Sequence, residues 1–563
     1  MKKIYYIFVL AGILSMSSCE KFLDEVPLDE PTTGSFLKTK AEMNAALTGV
    51  YNSINWNAGS IPYQINFDNW TDIGVLRAAS TAEGAYDASH GSLSTIWNFA
   101  YITIQRANTM ISGMEAGKAN VAENEYNRMQ AEARVLRAFS YYYLVFMFGD
   151  VPLITTPLQY DEYYNQVKTP KADIIQFLYK ELDESAAMMT WSVSDRGRLN
   201  KAVALGLKAR IALTNGDFEV AATAAKSVID NAGLSLNPRF EALFTRSGQN
   251  ANAGKEIMFE LMYSDAVQNS LNYIPLGQGS RNLGGQSGRF PTQRLVDNFE
   301  ATDGKRIDES SVYDPSAPSK KRDKRLKYTV VMHGDTLTQN NAKAIFDVYN
   351  TSTKFLNASG NWVSQTNNDF SNAFGPVKNG VGYLWAKYTF NDENITIARV
   401  SWIFMRYAEI LLTYAEAKIE LNQVDASVIS AMNALRKRAG LPDVEQAVAA
   451  DQAKMRQVIR RERTSELALE GFRWFDIRRW KIAELVMPGK VYGASKTAGT
   501  VAAIPNFKTS ATADLNNIGN YSASDAVRFS RDNRNFEPRH YIFPIPQSEI
   551  DRAEGLVQNE LWR

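Results

Sequence analysis

The sequence predicts a mainly α-helical protein, built on tetratricopeptide-like helix pairs and interrupted by long irregular loops. Residues 199–232 contain two amphipathic helical segments separated by a turn. Residues 403–440 repeat this format. By contrast, residues 234–400 are rich in Gly, Asn, Ser and Asp and contain few long apolar periods. These three observations together define the predicted fold class.

The helix pair at 199–232 has the clearest pattern. Its first helix has one apolar face, formed by Val203, Leu207 and Ile211. A turn over 215–217 ends that helix, and Asp217 is predicted to cap the next one. The second helix has an apolar face at i, i+3, i+4 and i+7 spacing, formed by Phe218, Ala221, Ala222, Ala225, Val228 and Ile229. The alanines at this seam would let the two helices approach closely.

Further helices are predicted at 40–54, 95–115, 123–148 and 169–190. The last two can form another pair. In the pair at 403–440 the first helix carries an apolar stripe of Tyr407, Leu411, Ala415 and Ile419. One repeat cannot bury its own apolar face, so a stacked helical scaffold is expected. A generic helical bundle is the alternative that periodicity alone leaves open.

Cys19 is the only cysteine in the 563 residues, and its position indicates how the chain is processed. Two lysines precede an apolar run over 4–16, and two serines come directly before the cysteine, an order typical of a secretory signal peptide. The run is too short to span a membrane, which takes about 20 residues. A cysteine at this boundary resembles a bacterial lipoprotein signal, so Cys19 is predicted to be lipidated. An ordinary signal peptide with an incidental cysteine is the alternative.

The chain is predicted to contain a signal peptide, a tether and a single domain. The signal peptide covers 1–18, the tether covers 19–39, and the α-helical domain covers 40–563 with a loop-rich insertion at about 234–400. Within this insertion, 276–290 and 357–375 are predicted to be long loops. Loops of that length in a compact protein are usually functional or disordered.

Composition argues against several classes of function. The 62 basic and 61 acidic residues give a net charge of +1, whereas an electrostatic nucleic-acid binder would show a basic excess. The three histidines, at 90, 333 and 540, lie far apart. No zinc-binding histidine pair, GxSxG motif or phosphate-binding loop is present. We therefore expect no metal, no cofactor and no enzymatic activity.

Several segments resemble the SusD/RagB family of outer-membrane nutrient-binding lipoproteins. They are EARVLRAFSYYYLVFMFGDVPLI (132–154), GRLNKAVALGLKARIALTNGDF (197–218), PTQRLVDNFEATDGKR (291–306), MRYAEILLTYAEAKIEL (405–421), IRRERTSELALEGFRWFDIRRWK (459–481) and YIFPIPQSEI (541–550). They follow the order of the family, and the segment at 459–481 is the most specific. The chain departs from the family pattern at RDKRL (322–326) and QNELW (558–562), where RDPRL and QNPGW are usual.

The resemblance implies a largely helical fold on four tetratricopeptide-like pairs, displayed on the outer membrane through a lipid anchor. It also implies binding of a glycan and its delivery to a SusC-type TonB-dependent transporter. The repeat helices would face the transporter, and the loops at 60–90, 265–290 and 355–385 would face the glycan. A protein-interaction scaffold, a binder of a peptide nutrient and a surface glycosidase are the alternatives.

Three carboxylates in the segment 459–481 bear on the glycosidase alternative. Glu462, Glu466 and Glu470 recur every four residues on one face, where like charges repel. A carboxylate pair could serve as general acid and base. Four arginines lie close in the sequence: Arg463, Arg473, Arg478 and Arg479. Because they would keep the glutamates ionised, we interpret the segment as a structural Arg–Glu network.

Candidate ligand-binding side chains lie in the predicted loops, where aromatic planes can pack on sugar rings and polar groups can bind hydroxyls. They are Asp68, Trp70, Asp72, Arg77, Tyr273, Arg281, Arg289, Trp362 and Tyr383. For Trp70 a position in the core is the alternative, because Phe67 and Ile73 are apolar neighbours.

Overall fold

The computed structural model describes residues 36–57, 59–78, 81–192, 195–264, 271–374, 380–390, 392–499, 506–507, 519–520 and 527–563. The predicted signal peptide, Cys19 and most of the predicted tether lie outside the described residues. Among the residues that are described, no helix combines the length and apolar character needed to cross a bilayer.

Helices form the scaffold of the described chain. They are α1 (Lys40–Ser53), α2 (Asn66–Asn69), α3 (Gly91–Gly113), α4 (Glu123–Phe148), α5 (Lys171–Ala187), α6 (Lys201–Asn215), α7 (Phe218–Asn231), α8 (Arg246–Ala251), α9 (Ile274–Gln278), α10 (Gln293–Asn298), α11 (Lys324–Thr329), α12 (Tyr407–Glu420), α13 (Ala426–Ala439), α14 (Gln446–Ala449), α15 (Gln452–Leu467), α16 (Arg473–Arg479), α17 (Ala483–Val486) and α18 (Gln547–Ile550). The mainly α-helical fold class is thereby confirmed.

The long helices pack in chain order. From α3 to α7 each helix packs on the next, and α12 packs on both α7 and α13. The predicted pair at 199–232 is confirmed as α6 and α7. The Asn200 side chain accepts a hydrogen bond from the Val203 N–H at 3.1 Å, and Gly216 ends α6 in the left-handed region at φ 90°. At Gly206 a Cβ would lie 2.6 Å from Met405 Sδ, so this glycine allows α6 to pack closely.

Short antiparallel strands connect the segments between these helices. They are β1 (Gly74–Leu76), β2 (Ile257–Leu261), β3 (Arg289–Pro291), β4 (Val330–Val331), β5 (Thr336–Gln339), β6 (Ala342–Ile345), β7 (Ser352–Leu356), β8 (Trp362–Thr366), β9 (Leu384–Trp385), β10 (Trp402–Arg406), β11 (Gly489–Ser495), β12 (Asn506–Phe507), β13 (Gly519–Asn520) and β14 (Arg528–Arg534). Strands β5 to β8 form a four-stranded sheet in chain order, and the others pair as β1 with β3, β2 with β10, β4 with β9, β11 with β14 and β12 with β13.

Three local expectations are wrong. The helix predicted from residue 403 begins at Tyr407, because the apolar residues before it form β10 and pair with β2. The predicted long loop at 357–375 contains β8, which pairs with β7. Asp217 does not cap α7, because its carboxylate accepts a hydrogen bond from the Tyr179 hydroxyl at 2.6 Å.

A second apolar cluster, separate from the main helical core, lies beneath the loop-rich insertion. It includes Val75, Phe290, Phe346, Phe374 and Leu384, all of them almost fully buried. Val75 and Phe290 are directly paired across β1 and β3. The cluster therefore joins three loop segments that are far apart in the sequence, and it gives the irregular region a packed base.

Buried charges meet around Arg406 inside the scaffold. Its guanidinium lies 2.9 Å from Glu256, 2.5 Å from Glu466 and 2.7 Å from Glu470. The same carboxylates bind further cations, namely Arg325, Arg438 and Lys387. Burial alone would raise the pKa of Glu466, but the arginines around it hold that pKa well below its usual range. Glu466 is therefore ionised, and the three carboxylates are shared between several cations.

The structural interpretation of the glutamates is confirmed, but their partners are not the arginines nearby in the sequence. Glu462 pairs with Arg325 at 2.5 Å, and Glu470 pairs with Lys387 at 2.8 Å. The four arginines listed above have other contacts: Arg463 and Arg479 bind Glu416 and Asp476, Arg473 binds Asp72, and Arg478 packs over the ring of Trp474. The positive charges that balance these glutamates thus include Arg325 in α11, Arg406 in β10 and Lys387.

We expect Arg406→Met to lower the free energy of unfolding by about 3–5 kcal/mol, because three buried carboxylates lose a shared counter-charge. Arg239→Met is the matched control, because Arg239 forms an exposed ion pair with Glu241. It should leave the urea midpoint close to that of the wild type, because an exposed ion pair contributes little to stability. Urea denaturation followed by circular dichroism measures both variants. A loss below about 1 kcal/mol for Arg406→Met would contradict a central role for this network.

Candidate functional site

The structure brings the three predicted ligand loops to one surface. Strands β1 and β3 pair so that Leu76 is opposite Arg289, and the Arg77 N–H donates to the Gly288 carbonyl at 2.9 Å. The loop at 276–290 in turn contacts the end of β8, where the Asn282 amide donates to Asn367 Oδ1 at 2.9 Å. We call this surface, where 74–77, 274–291 and 362–369 meet, the loop surface.

Glycines and one buried carboxylate shape the central loop of this surface. A Cβ at Gly285 would lie 2.3 Å from the carbonyl oxygen of Gly279, so the two backbone segments approach too closely for a side chain. Asp369 accepts hydrogen bonds from the Ser280 hydroxyl at 2.5 Å and from the Arg281 N–H at 2.8 Å. The close approach of Gly279 and Gly285 and the hydrogen bonds to Asp369 therefore fix the conformation of this loop.

Two of the predicted site residues, both of them carboxylates, are structural. Asp68 is unexposed and accepts hydrogen bonds from the N–H groups of Gly471 and Arg473 at 2.9 and 2.7 Å. Burial raises the pKa of Asp68 to about 7, although those two hydrogen bonds oppose the shift. Asp72 is also buried, and its carboxylate forms a two-point ion pair with the Arg473 guanidinium at 2.9 and 2.7 Å. The two carboxylates thus connect the segment before β1 to Gly471 and to Arg473 at the start of α16. The expectation that they bind ligand is therefore wrong.

Trp70 lies in the main core, as the alternative interpretation held. Trp70 is only 3% exposed, and its ring centre lies 5.9 Å from that of Tyr63 and 5.8 Å from that of Phe67. Tyr383 is 4% exposed, and its hydroxyl donates to Gln293 Oε1 at 2.6 Å. Burial raises the pKa of the Tyr383 hydroxyl far above its usual range. Neither ring is available as a stacking platform, because both residues are buried.

The other five predicted residues reach the loop surface. Arg77, Tyr273, Arg281 and Arg289 are partly exposed, and Trp362 on β8 is 42% exposed. Trp362 is opposite Leu356 at the outer end of the β7–β8 hairpin. Its five-residue separation from Asn367 corresponds to roughly 17 Å along an extended strand. The loop surface therefore has the exposed Trp362 ring at one end and the neighbouring Arg77 and Arg281 at the other.

Arg531 belongs to the same surface, although sequence analysis did not select it. Its Nε donates to the Leu76 carbonyl at 2.9 Å, and its guanidinium also binds the Arg77 carbonyl and lies 3.2 Å from Asp532. No local sequence pattern identifies Arg531, because β14 and β1 are far apart in the sequence and meet only in the folded protein. Among the described residues no group of three or more His, Cys, Asp or Glu side chains is arranged to hold a metal ion.

Comparison with known proteins identifies the family. A family model described as "SusD family" matches residues 240–562, and one described as "Starch-binding associating with outer membrane" matches residues 21–213. The chain belongs to the SusD family. It is similar to the SusD-like protein P2 of Formosa agariphila, with 28% identity over 588 aligned positions that cover 99% of both chains. A SusD-like protein of Bacteroides ovatus is 23% identical over 509 positions, which cover 85% of this chain and 83% of that protein.

Solved structures share the fold. A SusD-like carbohydrate-binding protein from Bacteroides fragilis superimposes with a TM-score of 0.76 at 25% identity, covering 93% of this chain and all of the other. A laminarin-binding SusD-like protein superimposes with a TM-score of 0.64 at 20% identity, covering 93% of this chain and 99% of the other. The second likeness concerns the fold alone.

We expect Trp70→Ala to lower the free energy of unfolding by about 3–5 kcal/mol, because a large buried ring leaves a cavity. Trp362→Ala, which removes a partly exposed ring, should change it by less than about 0.5 kcal/mol. Thermal and chemical denaturation of the two variants are compared with the wild type. A Trp70→Ala protein as stable as the wild type would contradict the position of this ring in the core.

Proposed function

We propose that the protein binds an oligo- or polysaccharide at the loop surface and does not cleave it. The observation that carries this proposal is the convergence of three separate loops on one surface with partly exposed polar side chains and the exposed ring of Trp362. The family, and the carbohydrate-binding and laminarin-binding structures that this fold is similar to, support the same class of ligand.

The chemistry of the loop surface suits a hydrated, extended ligand. A sugar ring presents an apolar C–H face that packs on an indole ring, and Trp362 offers such a ring. Sugar hydroxyls need donors and acceptors with fixed positions, which the Arg281 and Asn282 segment supplies because Asp369 and Asn367 hold it. The distance between these two parts favours a chain of several sugars over a monosaccharide.

We expect Trp362→Ala to weaken polysaccharide binding by about 1–3 kcal/mol, by analogy with a lost stacking contact between a base and an aromatic ring. Tyr160→Ala is the control, because Tyr160 is 80% exposed on another segment. Isothermal titration against a panel of polysaccharides and peptides measures affinity, and assays of reducing ends on the same samples measure cleavage. Release of reducing ends would overturn the non-catalytic proposal, and binding of peptides alone would favour a peptide nutrient.

We further propose that lipid on Cys19 anchors the protein at the outer-membrane surface, where it delivers the glycan to a SusC-type transporter. The sequence around Cys19 and the family description support this proposal. Mass spectrometry of the mature protein should find a lipidated Cys19 at its N-terminus and no residues 1–18. Gentle solubilisation of native membranes should recover the protein with a large barrel protein. An unmodified Cys19, or a free monomer in that extract, would contradict the respective part of the proposal.

A further inference from the structure

Three arginines on the loop surface have little or no compensating charge. Among the described residues, the guanidinium groups of Arg77 and Arg289 have no hydrogen-bond or ion-pair partner, and the Nε of each is buried. Arg281 donates to the Gln286 carbonyl at 2.7 Å, while its buried Nε has no acceptor. In the scaffold, by contrast, the single guanidinium of Arg406 contacts three carboxylates.

Arg77 and Arg281 lie close together, since the charge of Arg281 lowers the pKa of Arg77. Arg77 shares the face of the β1–β3 pair that carries Val75 and Phe290, and its guanidinium lies 5.9 Å from the centre of the Phe290 ring. Arg289 is opposite Leu76 and therefore projects from the other face of the pair. The loop that carries Arg281 folds back on β3, because the Gly288 N–H donates to the Gly277 carbonyl at 2.8 Å. Arg289 also reaches this loop, since a Cβ at Gly277 would lie 3.1 Å from its Nη1.

The charge of this group is largely unbalanced. Burial lowers the pKa of Arg289 to about 10, and no acidic neighbour opposes that shift. The pKa of Arg77 is lowered by burial and also by the charges of Arg281 and Arg531. Of the nearby carboxylates, Asp369 accepts hydrogen bonds from the loop backbone and interacts electrostatically with Arg281, and Asp532 pairs with Arg531, so Arg77 is left without a carboxylate. Partly buried cations without an anion are unfavourable, so a ligand that supplies an anion would be stabilised here.

We propose that the glycan bound at the loop surface is acidic, and that Arg77 and Arg281 bind its carboxylate or sulfate groups. The planar guanidinium matches both oxyanions, since two parallel N–H groups can donate to two oxygens of one group. Trp362 would pack on another sugar of the same chain. This inference rests on the proposed function, and it adds the charge of the ligand to it.

Matched pairs of ligands test the charge separately from the sugar backbone. Oligogalacturonides are compared with their methyl esters, and sulfated with desulfated carrageenan oligosaccharides, while laminarin and starch oligosaccharides represent neutral glycans. Isothermal titration should show an acidic form binding at least about tenfold more tightly than its neutral counterpart. That preference should decrease between 50 mM and 500 mM salt, as expected for partly exposed ion pairs.

Variants test the residues. Arg77→Gln and Arg281→Gln should each weaken binding of the preferred acidic ligand by about tenfold and leave its neutral counterpart unchanged. Arg77→Lys should restore part of the affinity lost in Arg77→Gln, since it retains the charge. Arg239→Gln is the control, because Arg239 is an exposed arginine paired with Glu241. The melting temperature of Arg77→Gln should be unchanged or higher, because a partly buried charge without a partner is removed, whereas a purely structural arginine would lower it.

The outcomes are distinguishable. If neutral glycans bind as tightly as their acidic counterparts, or if the arginine variants bind acidic ligands normally, the inference is overturned and the proposed glycan-binding function stands. If no glycan of either kind binds, the proposed function fails and this inference fails with it.

Discussion

The buried ion-pair network around Arg406 is the interaction on which the rest of the structure depends. Arg406 ends β10 and directly precedes α12, while its partners come from the segment before β2, from α15 and from the turn after it. Charges removed from water are tolerated only when their partners are in place. The network therefore determines how the repeat helices and the C-terminal helices are arranged relative to one another, which apolar packing alone would specify less strictly.

The same network extends to the loop surface. Glu470 binds Lys387, which lies between the insertion and the scaffold, and the next residue, Gly471, donates its N–H to Asp68. Asp68 and Asp72 then hold the segment that leads into β1. Because β1 positions Arg77 and pairs with the strand that carries Arg289, the geometry of the loop surface follows from contacts made in the core.

Local sequence patterns predicted what depends on local structure. The apolar spacing and the helix break at 199–232 gave α6 and α7, because caps and helix faces are determined within a few residues. Features set by distant parts of the chain could not be derived in this way. The strand before Tyr407 needs β2 as a partner, and Glu466 needs Arg325 and Arg406.

The overall charge of the chain does not reveal that the loop surface contains arginine atoms without partners. With 62 basic and 61 acidic residues the sequence is nearly neutral, and in the scaffold many of these charges are paired, as at Glu416, which binds both Arg463 and Arg479. Not every arginine in the scaffold is paired with a carboxylate, since Arg478 packs over the Trp474 ring and donates to the carbonyls of Trp474 and His540. The Arg77 guanidinium has no such acceptor among the described residues, so an acidic ligand bound where the three loops meet would supply the missing anion.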